Sequence, residues 1–170
     1  MKMLLHAGVM ALLLVGVGRL AAQESGIPVG SKAPAVKVND LEGTPVDLAQ
    51  YIGKQPVLLE FWATWCEQCE ALQPQLDRIQ KEMGSQINVV AVAVGVSQTP
   101  RRVKLHVQGH NPGYPYVFDN RGDAVRKYDA ATTSVVMLLD KNGKVVYANV
   151  GPEQDLLAAV KKVLGAATQE

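Results

Sequence analysis

Two cysteines lie three positions apart, at Cys66 and Cys69, and they are the only cysteines among the 170 residues of the chain. A disulfide between them would close a very short loop, and loop closure stabilises a fold less as the loop shortens. A purely structural role therefore explains this pair poorly. One helical turn holds two Cα atoms about 4.4–6.8 Å apart, the separation that a disulfide requires. The spacing predicts a pair that switches between dithiol and disulfide.

Cys66 is the predicted nucleophile of the pair. It stands between a strand pattern and a helix pattern, so we expect its sulfur at the positive end of a helix, beside unpaired backbone N–H groups. Such surroundings lower the pKa of a thiol from about 8.5 to about 3.5–7.5. The negative charge of Glu67 opposes part of this effect. We expect Cys66 to be reachable from solvent and Cys69, one turn later, to resolve the mixed disulfide.

A strand and a helix are predicted on either side of Cys66. Residues 56–62 form a nearly continuous apolar run, which is typical of a strand buried on both faces of a parallel sheet. The following helix is predicted to end at Gly84 and to bend near Pro74, which lacks a backbone N–H. Residues 87–94 predict a second buried strand, so the three elements form a βαβ unit. The buried stripe of the helix comprises Cys69, Leu72, Leu76, Ile79 and Met83.

The remaining segments predict an N-terminal β-hairpin, an insertion, a second hairpin and a final helix. The insertion spans residues 97–128 and includes a helix from Pro100 and a short strand at residues 116–118. The helix is expected to be terminated by Gly109, Asn111, Pro112 and Gly113. The second hairpin turns at Asn142-Gly143, a strong hairpin signal. Pro152 is expected at the first position of the final helix and Gly165 at its end. The order of elements predicts an α/β fold with a central mixed sheet.

The N-terminus is typical of an export signal. Lys2 precedes an apolar run over residues 4–17, and small residues follow near a possible cleavage site at about residue 22. We therefore expect a signal peptide at residues 1–22, a linker at 23–34 and one domain at 35–170. The protein would be periplasmic or secreted, or membrane-anchored if the signal stays uncleaved. The Lys and Arg residues are scattered, which argues against nucleic acid as a partner.

Residues 60–69, Glu-Phe-Trp-Ala-Thr-Trp-Cys-Glu-Gln-Cys, followed by Pro74, resemble the active-site segment of thioredoxin-fold proteins. Together with the hairpin, the insertion and the export signal, they make the chain similar to the TlpA/ResA-like thiol-disulfide oxidoreductases. The resemblance implies a three-layer thioredoxin-like fold and places Trp65 in the partner-binding surface. It also implies that Glu60 accepts the proton of the resolving thiol. A carboxyl in an apolar strand has a raised pKa and suits that role; the alternative is a strand-end side chain that reaches solvent.

The chain departs from the family pattern at two positions. Leu72 stands where many members carry a Glu, so Glu60 would be the only acid serving the site. Ser134 follows Thr133 where members usually have a cis-Pro that faces the cysteines and contacts the partner. A cis bond before Ser costs about 2.5–4 kcal/mol, so we expect a trans loop and an altered substrate-binding edge at Thr133 and Ser134.

By the same resemblance, the protein would reduce disulfides of protein substrates as a monomer, without a bound cofactor, using electrons from a membrane thiol-relay protein. Three alternatives remain. The cysteines could bind zinc together with His106 and His110, which are otherwise interpreted as surface residues. The fold could also serve as a non-catalytic binding module. A thiol peroxidase would need Pro and Thr where Leu59 and Ala63 stand.

Overall fold

The computed structural model describes residues 25–167. The signal peptide expected at residues 1–22 lies outside the described residues. Within residues 25–167, no helix combines the length and apolar character that a membrane crossing requires.

In the described part of the chain, seven strands form one mixed sheet, in the spatial order β2-β1-β5-β4-β3-β6-β7. The strands are β1 Lys37–Asn39, β2 Pro45–Asp47, β3 Val57–Trp62, β4 Asn88–Val94, β5 Tyr116–Asp119, β6 Val135–Leu139 and β7 Val145–Asn149. The helices are α1 Glu67–Met83, α2 Pro100–His110, α3 Asp123–Lys127 and α4 Leu156–Ala167, with a short 3₁₀ helix at Leu48–Tyr51.

The predicted βαβ unit is confirmed, because β3 pairs in parallel with β4 and α1 connects them. Both strands are buried along nearly their whole length, as their apolar sequences predict. The segment interpreted as an insertion extends the same sheet, because α2 leads to β5, which pairs in parallel with β4. Both crossovers advance the sheet in one direction from β3.

Helices cover both faces of the sheet, so the expected three layers are present. Successive side chains of a strand point to opposite faces. Trp62 packs against His106 of α2, with ring centroids 5.3 Å apart, and Phe61 packs against Tyr128, just after α3, at 5.7 Å. The helices α1 and α4 contact each other. The face that carries Glu60 and Trp62 therefore lies under α1, α2 and α4, and α3 covers the other face.

The final helix begins later than expected. Its first residue is Leu156 rather than Pro152, and the Asp155 carboxylate accepts a hydrogen bond from the Ala158 backbone N–H at 2.9 Å. This contact is a helix N-cap, so Asp155 starts the helix and Pro152 lies in the preceding turn. The helix also continues past Gly165 to Ala167. Both expected boundaries were wrong.

Two further helices run through residues that often interrupt a helix. The α1 helix is continuous through Pro74 to Met83 and is capped by Gly84, which was predicted to end it. The α2 helix passes Gly109 and stops at His110, capped at φ +41° by Asn111, one of the residues predicted to terminate it. Asn tolerates this left-handed conformation better than most residues.

Residues 26–33, expected to be a linker, lie against the domain. The backbone N–H groups of Gly26 and Ile27 donate to the carbonyls of Asp129 and Tyr128, at 2.8 and 2.9 Å. Gly30 donates in the same way to Val145 at 2.8 Å. The segment therefore packs beside both the α3–β6 loop and β7.

Candidate active site

Cys66 and Cys69 are joined by a disulfide at the N-terminus of α1, with their Cα atoms 5.3 Å apart. Cys66 is the N-cap residue of the helix, as its place after β3 predicts. Its Sγ accepts a hydrogen bond from the backbone N–H of Cys69 at 3.1 Å. A donor aimed at sulfur from a helix N-terminus stabilises negative charge there, so this geometry favours a thiolate at Cys66 once the disulfide is reduced.

Both cysteines are nearly buried in this disulfide form. Cys66 and Cys69 are each 4% exposed. For Cys69 this matches a resolving residue one turn inside the helix. For Cys66 the expectation of an openly accessible sulfur was wrong, because its sulfur is tied to Cys69 and to the first turn of the helix. Partner access to Cys66 is therefore narrow in this form, between the exposed side chains of Trp65, Glu67 and Gln68.

Glu60 is buried in the middle of β3, with 2% of its surface exposed, so the alternative of a strand-end side chain in solvent is wrong. Its partners in the sheet register are Ala91 and Val136, both apolar. Burial raises the pKa of Glu60 to about 8, and the negative charge of Asp77 on α1 adds to the shift. Its Oε1 has no hydrogen-bond partner among the described residues. A carboxyl with this pKa can exchange a proton near neutral pH.

Trp65 lies at the surface immediately before the cysteines, with 43% of its area exposed. Its indole N–H donates to the carbonyl of Val96 at 2.9 Å. The preceding residue is held by the same loop, since the Thr64 backbone N–H donates to the Gln98 side chain at 2.9 Å. The β4–α2 loop therefore fixes the indole beside the disulfide.

Ser134 is fully buried and stands directly before β6, after the half-buried Thr133. The described residues contain no cis peptide bond, so the expected trans bond before Ser134 is confirmed. Ser134 adopts φ +62°, a left-handed conformation that is uncommon for a residue with a Cβ. Its hydroxyl donates to the side-chain Oε1 of Gln68 at 2.9 Å. The loop therefore contacts residues 66–69, which we call the redox segment, through a side chain between the two cysteines.

An apolar groove of about 230 Å³ is lined by Trp65, the residue before Cys66, and we call it the Trp65 groove. One wall is formed by Trp65 and Val96, and Val96 is 62% exposed. The loop before Ser134 forms the opposite wall through Ala131, Thr132 and Thr133. Of the three residues predicted to bind substrate, Trp65 and Thr133 therefore line one groove, whereas the buried Ser134 does not line it.

A second cavity, also of about 230 Å³, lies on the side of Cys69 and is lined in part by Trp62, Gln73, His106 and His110. The two imidazole rings stack with centroids 4.7 Å apart. Burial and the neighbouring His110 lower the pKa of His106. The interpretation of both histidines as plain surface residues was incomplete, because they border the space beside Cys69. Across residues 25–167, no three side chains of His, Cys, Asp or Glu are grouped to hold a metal ion.

Two glutamines near the site had no sequence signal. Gln68 is simply the second residue between the cysteines, and Gln154 lies in a turn far along the chain. Gln154 is buried, and its side-chain amide donates to the carbonyl of Ser134 at 3.0 Å. The histidine pair did have a signal, since His106 and His110 are one helical turn apart, but its orientation toward Cys69 depends on how α2 packs.

The fold and the site define a thioredoxin-like thiol-disulfide oxidoreductase: a disulfide-bonded cysteine pair begins the helix that follows a buried central strand. Residues 28–164 match the Redoxin family. The chain is also similar to the thiol-disulfide oxidoreductase ResA of Bacillus cereus, with 31% identity over 147 residues that cover 84% of this chain and 82% of ResA. This protein therefore belongs to the Redoxin family, within its TlpA/ResA-like oxidoreductases.

Other relatives extend this similarity. The thioredoxin-like protein YneN of Bacillus subtilis is 29% identical over 152 residues, covering 85% of this chain and 88% of YneN. A solved structure from Chlorobium tepidum, assigned as the thiol:disulfide interchange protein DsbE, superposes with a TM-score of 0.68 and 27% identity, covering 82% of this chain and 97% of that one. The names of both relatives agree with a thioredoxin-like protein.

Proposed function

We propose that this protein reduces disulfide bonds in other proteins outside the cytoplasm, through a mixed disulfide on Cys66. The observation that carries the proposal is the hydrogen bond from the Cys69 backbone N–H to Cys66 Sγ at 3.1 Å. It gives Cys66, rather than Cys69, the stabilisation that a nucleophilic thiolate needs.

The first step begins from the dithiol form. The Cys66 thiolate attacks one sulfur of the substrate disulfide, a new sulfur–sulfur bond forms, and the other substrate sulfur leaves as a thiolate. Trp65 and Thr133 provide the substrate-binding surface for this step, and Ser134, buried directly after Thr133, supports that surface from below. The exposed indole and the Trp65 groove supply apolar contacts for a polypeptide beside the cysteine pair.

The second step releases the reduced substrate. Cys69 loses its proton to Glu60 when Glu60 is in its ionised form, and the Cys69 thiolate attacks Cys66 Sγ, expelling the second substrate thiolate. The protein is left as the Cys66–Cys69 disulfide, so two electrons have moved to the substrate. Glu60 suits this role because it lies on the sheet face under α1, and its pKa of about 8 is close to that of a thiol.

The direction of electron flow is supported by the charges near Cys66. The first turn of α1 contains two acids, Glu67 and Glu70. Negative charge disfavours the thiolate, and a less stable reduced form makes a cysteine pair a stronger reductant. We therefore propose that the protein acts as a reductase. We also propose that a membrane thiol-relay protein returns it to the dithiol form, that it works as a monomer, and that its signal peptide at residues 1–22 directs export.

A trapping experiment tests the assignment of roles. The Cys69→Ala variant should hold a substrate protein covalently through Cys66, because the resolving thiol is absent. The Cys66→Ala variant is the matched control and should trap little. Equal trapping by the two variants, measured on non-reducing gels followed by mass spectrometry, would contradict the nucleophile assignment.

A redox titration tests the direction. We expect a reversible two-electron couple at a potential more negative than about −200 mV, on the reducing side of protein disulfide isomerase. A potential near that of the strong oxidant DsbA, about −120 mV, would contradict the reducing role.

Mass spectrometry of the exported protein should find a mature N-terminus near residue 23.

A further inference from the structure

Ser134 is held from the sheet side by contacts that leave it little freedom. Its hydroxyl oxygen accepts a hydrogen bond from the Gly151 backbone N–H at 3.2 Å, and its carbonyl accepts from the Gln154 amide at 3.0 Å. Gln154 is itself held by Tyr147, whose hydroxyl donates to it at 3.0 Å. The oxygen of Ser134 is therefore fixed relative to the end of β7.

On its other side Ser134 faces the redox segment. A hydroxyl has one proton, and here it can be donated to either of two acceptors. One is the side-chain Oε1 of Gln68 at 2.9 Å, and the other is the carbonyl of Thr133. Donation to Gln68 links the first turn of α1 to the loop before β6. Gln68 is exposed, so it can be changed without disturbing the core.

This link bears on the shape of the Trp65 groove. Its lining comes from separate parts of the chain, among them the Trp65 segment before α1 and the loop of residues 131–133, and it is completed by Val94, Val96, Val125 and Ala130. The bond between Ser134 and Gln68 joins these two parts at the disulfide itself. The narrow access to Cys66 makes the relative position of the walls important for a large partner and less important for a small molecule.

We propose that Ser134 is a positioning residue for protein substrates, acting through its hydrogen bond to Gln68 to hold the loop wall of the Trp65 groove against the redox segment. This inference rests on the proposed function, because it concerns how the reductase distinguishes disulfides in polypeptides from disulfides in small molecules. It assigns to Gln68 a role in docking rather than in sulfur chemistry.

The test compares two oxidants in single-turnover reactions of the pre-reduced full chain. Insulin is the protein disulfide, and 5,5′-dithiobis(2-nitrobenzoic acid) is the small one. We expect Ser134→Ala and Gln68→Ala each to lower the ratio of the insulin rate constant to the small-disulfide rate constant by about threefold to tenfold, the range for loss of one hydrogen bond. The loss should arise from a higher half-saturating insulin concentration.

Three further variants sharpen the result. The double variant of Ser134→Ala with Gln68→Ala should lower the ratio no further than either single change, because both remove the same bond. Gln68→Glu keeps an acceptor oxygen and should retain the ratio within about twofold. Gln80→Ala is the matched control on α1, since its amide donates to the Gly113 carbonyl at 3.2 Å, away from the groove, and both rate constants should stay unchanged.

The outcomes separate the two proposals. A ratio that is unchanged in Gln68→Ala, or a double variant whose loss is the product of the single losses, overturns the positioning role of Ser134. A wild-type chain that reduces neither oxidant contradicts the proposed reductase function itself. Because Gln68 lies on the surface, its variants decide the question even if Ser134→Ala fails to fold.

Discussion

The two ends of the central sheet differ in how well their polar groups are satisfied. At the redox end, Glu60 Oε1, Trp62 Nε1 and Thr64 Oγ1 are buried without hydrogen-bond partners among the described residues. Ser97 and Ser134, at the same end, adopt positive φ. Each of these features costs free energy. They lie around the cysteine pair, which indicates that this part of the fold is less stable than it would be with every buried polar atom hydrogen-bonded and no residue with a Cβ at positive φ.

At the opposite end the polar groups are paired. Asp140 begins the β6–β7 turn, and its carboxylate accepts from the backbone N–H groups of Asn142 and Lys144 at 2.8 and 2.9 Å. Asn88, at the start of β4, donates through its amide to the Tyr51 carbonyl at 3.0 Å. We therefore expect substitutions at this end to change stability and those at the redox end to change rates.

The largest expected effect is kinetic and falls at the redox end. Glu60→Gln removes the proton acceptor proposed for Cys69, and general-base catalysis contributes about 10²-fold or more. Resolution of the mixed disulfide should slow by about that factor at pH 8, where about half of Glu60 is ionised. Quenching single turnovers and measuring the mass of the intermediates would test this. The amide is of similar size, so near-ultraviolet circular dichroism should be unchanged. An unaltered rate would remove Glu60 from the mechanism.

The same substitution should change how stability depends on pH. Folded Glu60 keeps its proton up to about pH 8, and its unfolded pKa is 4.5. Between these values the folded state binds more protons, so the contribution of Glu60 to the free energy of unfolding is complete below pH 4.5 and falls as pH rises, by about 1.4 kcal/mol per pH unit. Glu60→Gln should lack this loss. Parallel stability curves for the two proteins in urea at pH 5 to 8 would exclude a raised pKa.

At the opposite end, Gly143→Ala should reduce stability without slowing exchange. Gly143 has φ +74°, and an added Cβ would lie 2.5 Å from Cγ2 of Ile52. Left-handed backbone and overpacking together should cost about 2 kcal/mol. Urea unfolding measures this loss, and the single-turnover rate should match the wild type. A slowed rate in a folded variant would show that the two ends are coupled.

The smallest expected effect concerns the carboxylate of the turn. Asp140→Ala removes the acceptor for two backbone N–H groups at a half-buried position and should cost about 1 kcal/mol in the free energy of unfolding. Asp140→Asn keeps an acceptor oxygen and serves as its control. If both variants were as stable as the wild type, the contrast between the two ends would be weaker than the geometry suggests.

Much of the fold could be predicted because its main elements have strong local signals. The apolar runs of β3 and β4 and the buried stripe of α1 each have one dominant interpretation. The start of α4 was different, because Pro152 and Asp155 are both good helix-start residues and only the bond from Asp155 to the Ala158 N–H decides between them. Local sequence cannot rank two such signals.

The cysteine pair of the site was predictable from spacing, and the burial of Glu60 followed from its apolar neighbours. The contact between Gln68 and Ser134 was not, since it joins residues 66 positions apart. It depends on the antiparallel pairing of β6 with β3, which brings the start of β6 to the end of β3. The low exposure of Cys66 was missed for the same reason, because the packing around its sulfur is tertiary.

The placement of the tryptophans has a practical consequence. The chain has two, Trp62 and Trp65, and both lie within four residues of Cys66. Trp62 is buried under α2, whereas Trp65 is exposed at the mouth of the site. A disulfide accepts an electron from excited indole and quenches its emission. Because both tryptophans lie near Cys66, all of the intrinsic tryptophan fluorescence originates beside the disulfide. Oxidation and reduction can therefore be followed in real time by light, with no label and no engineered reporter.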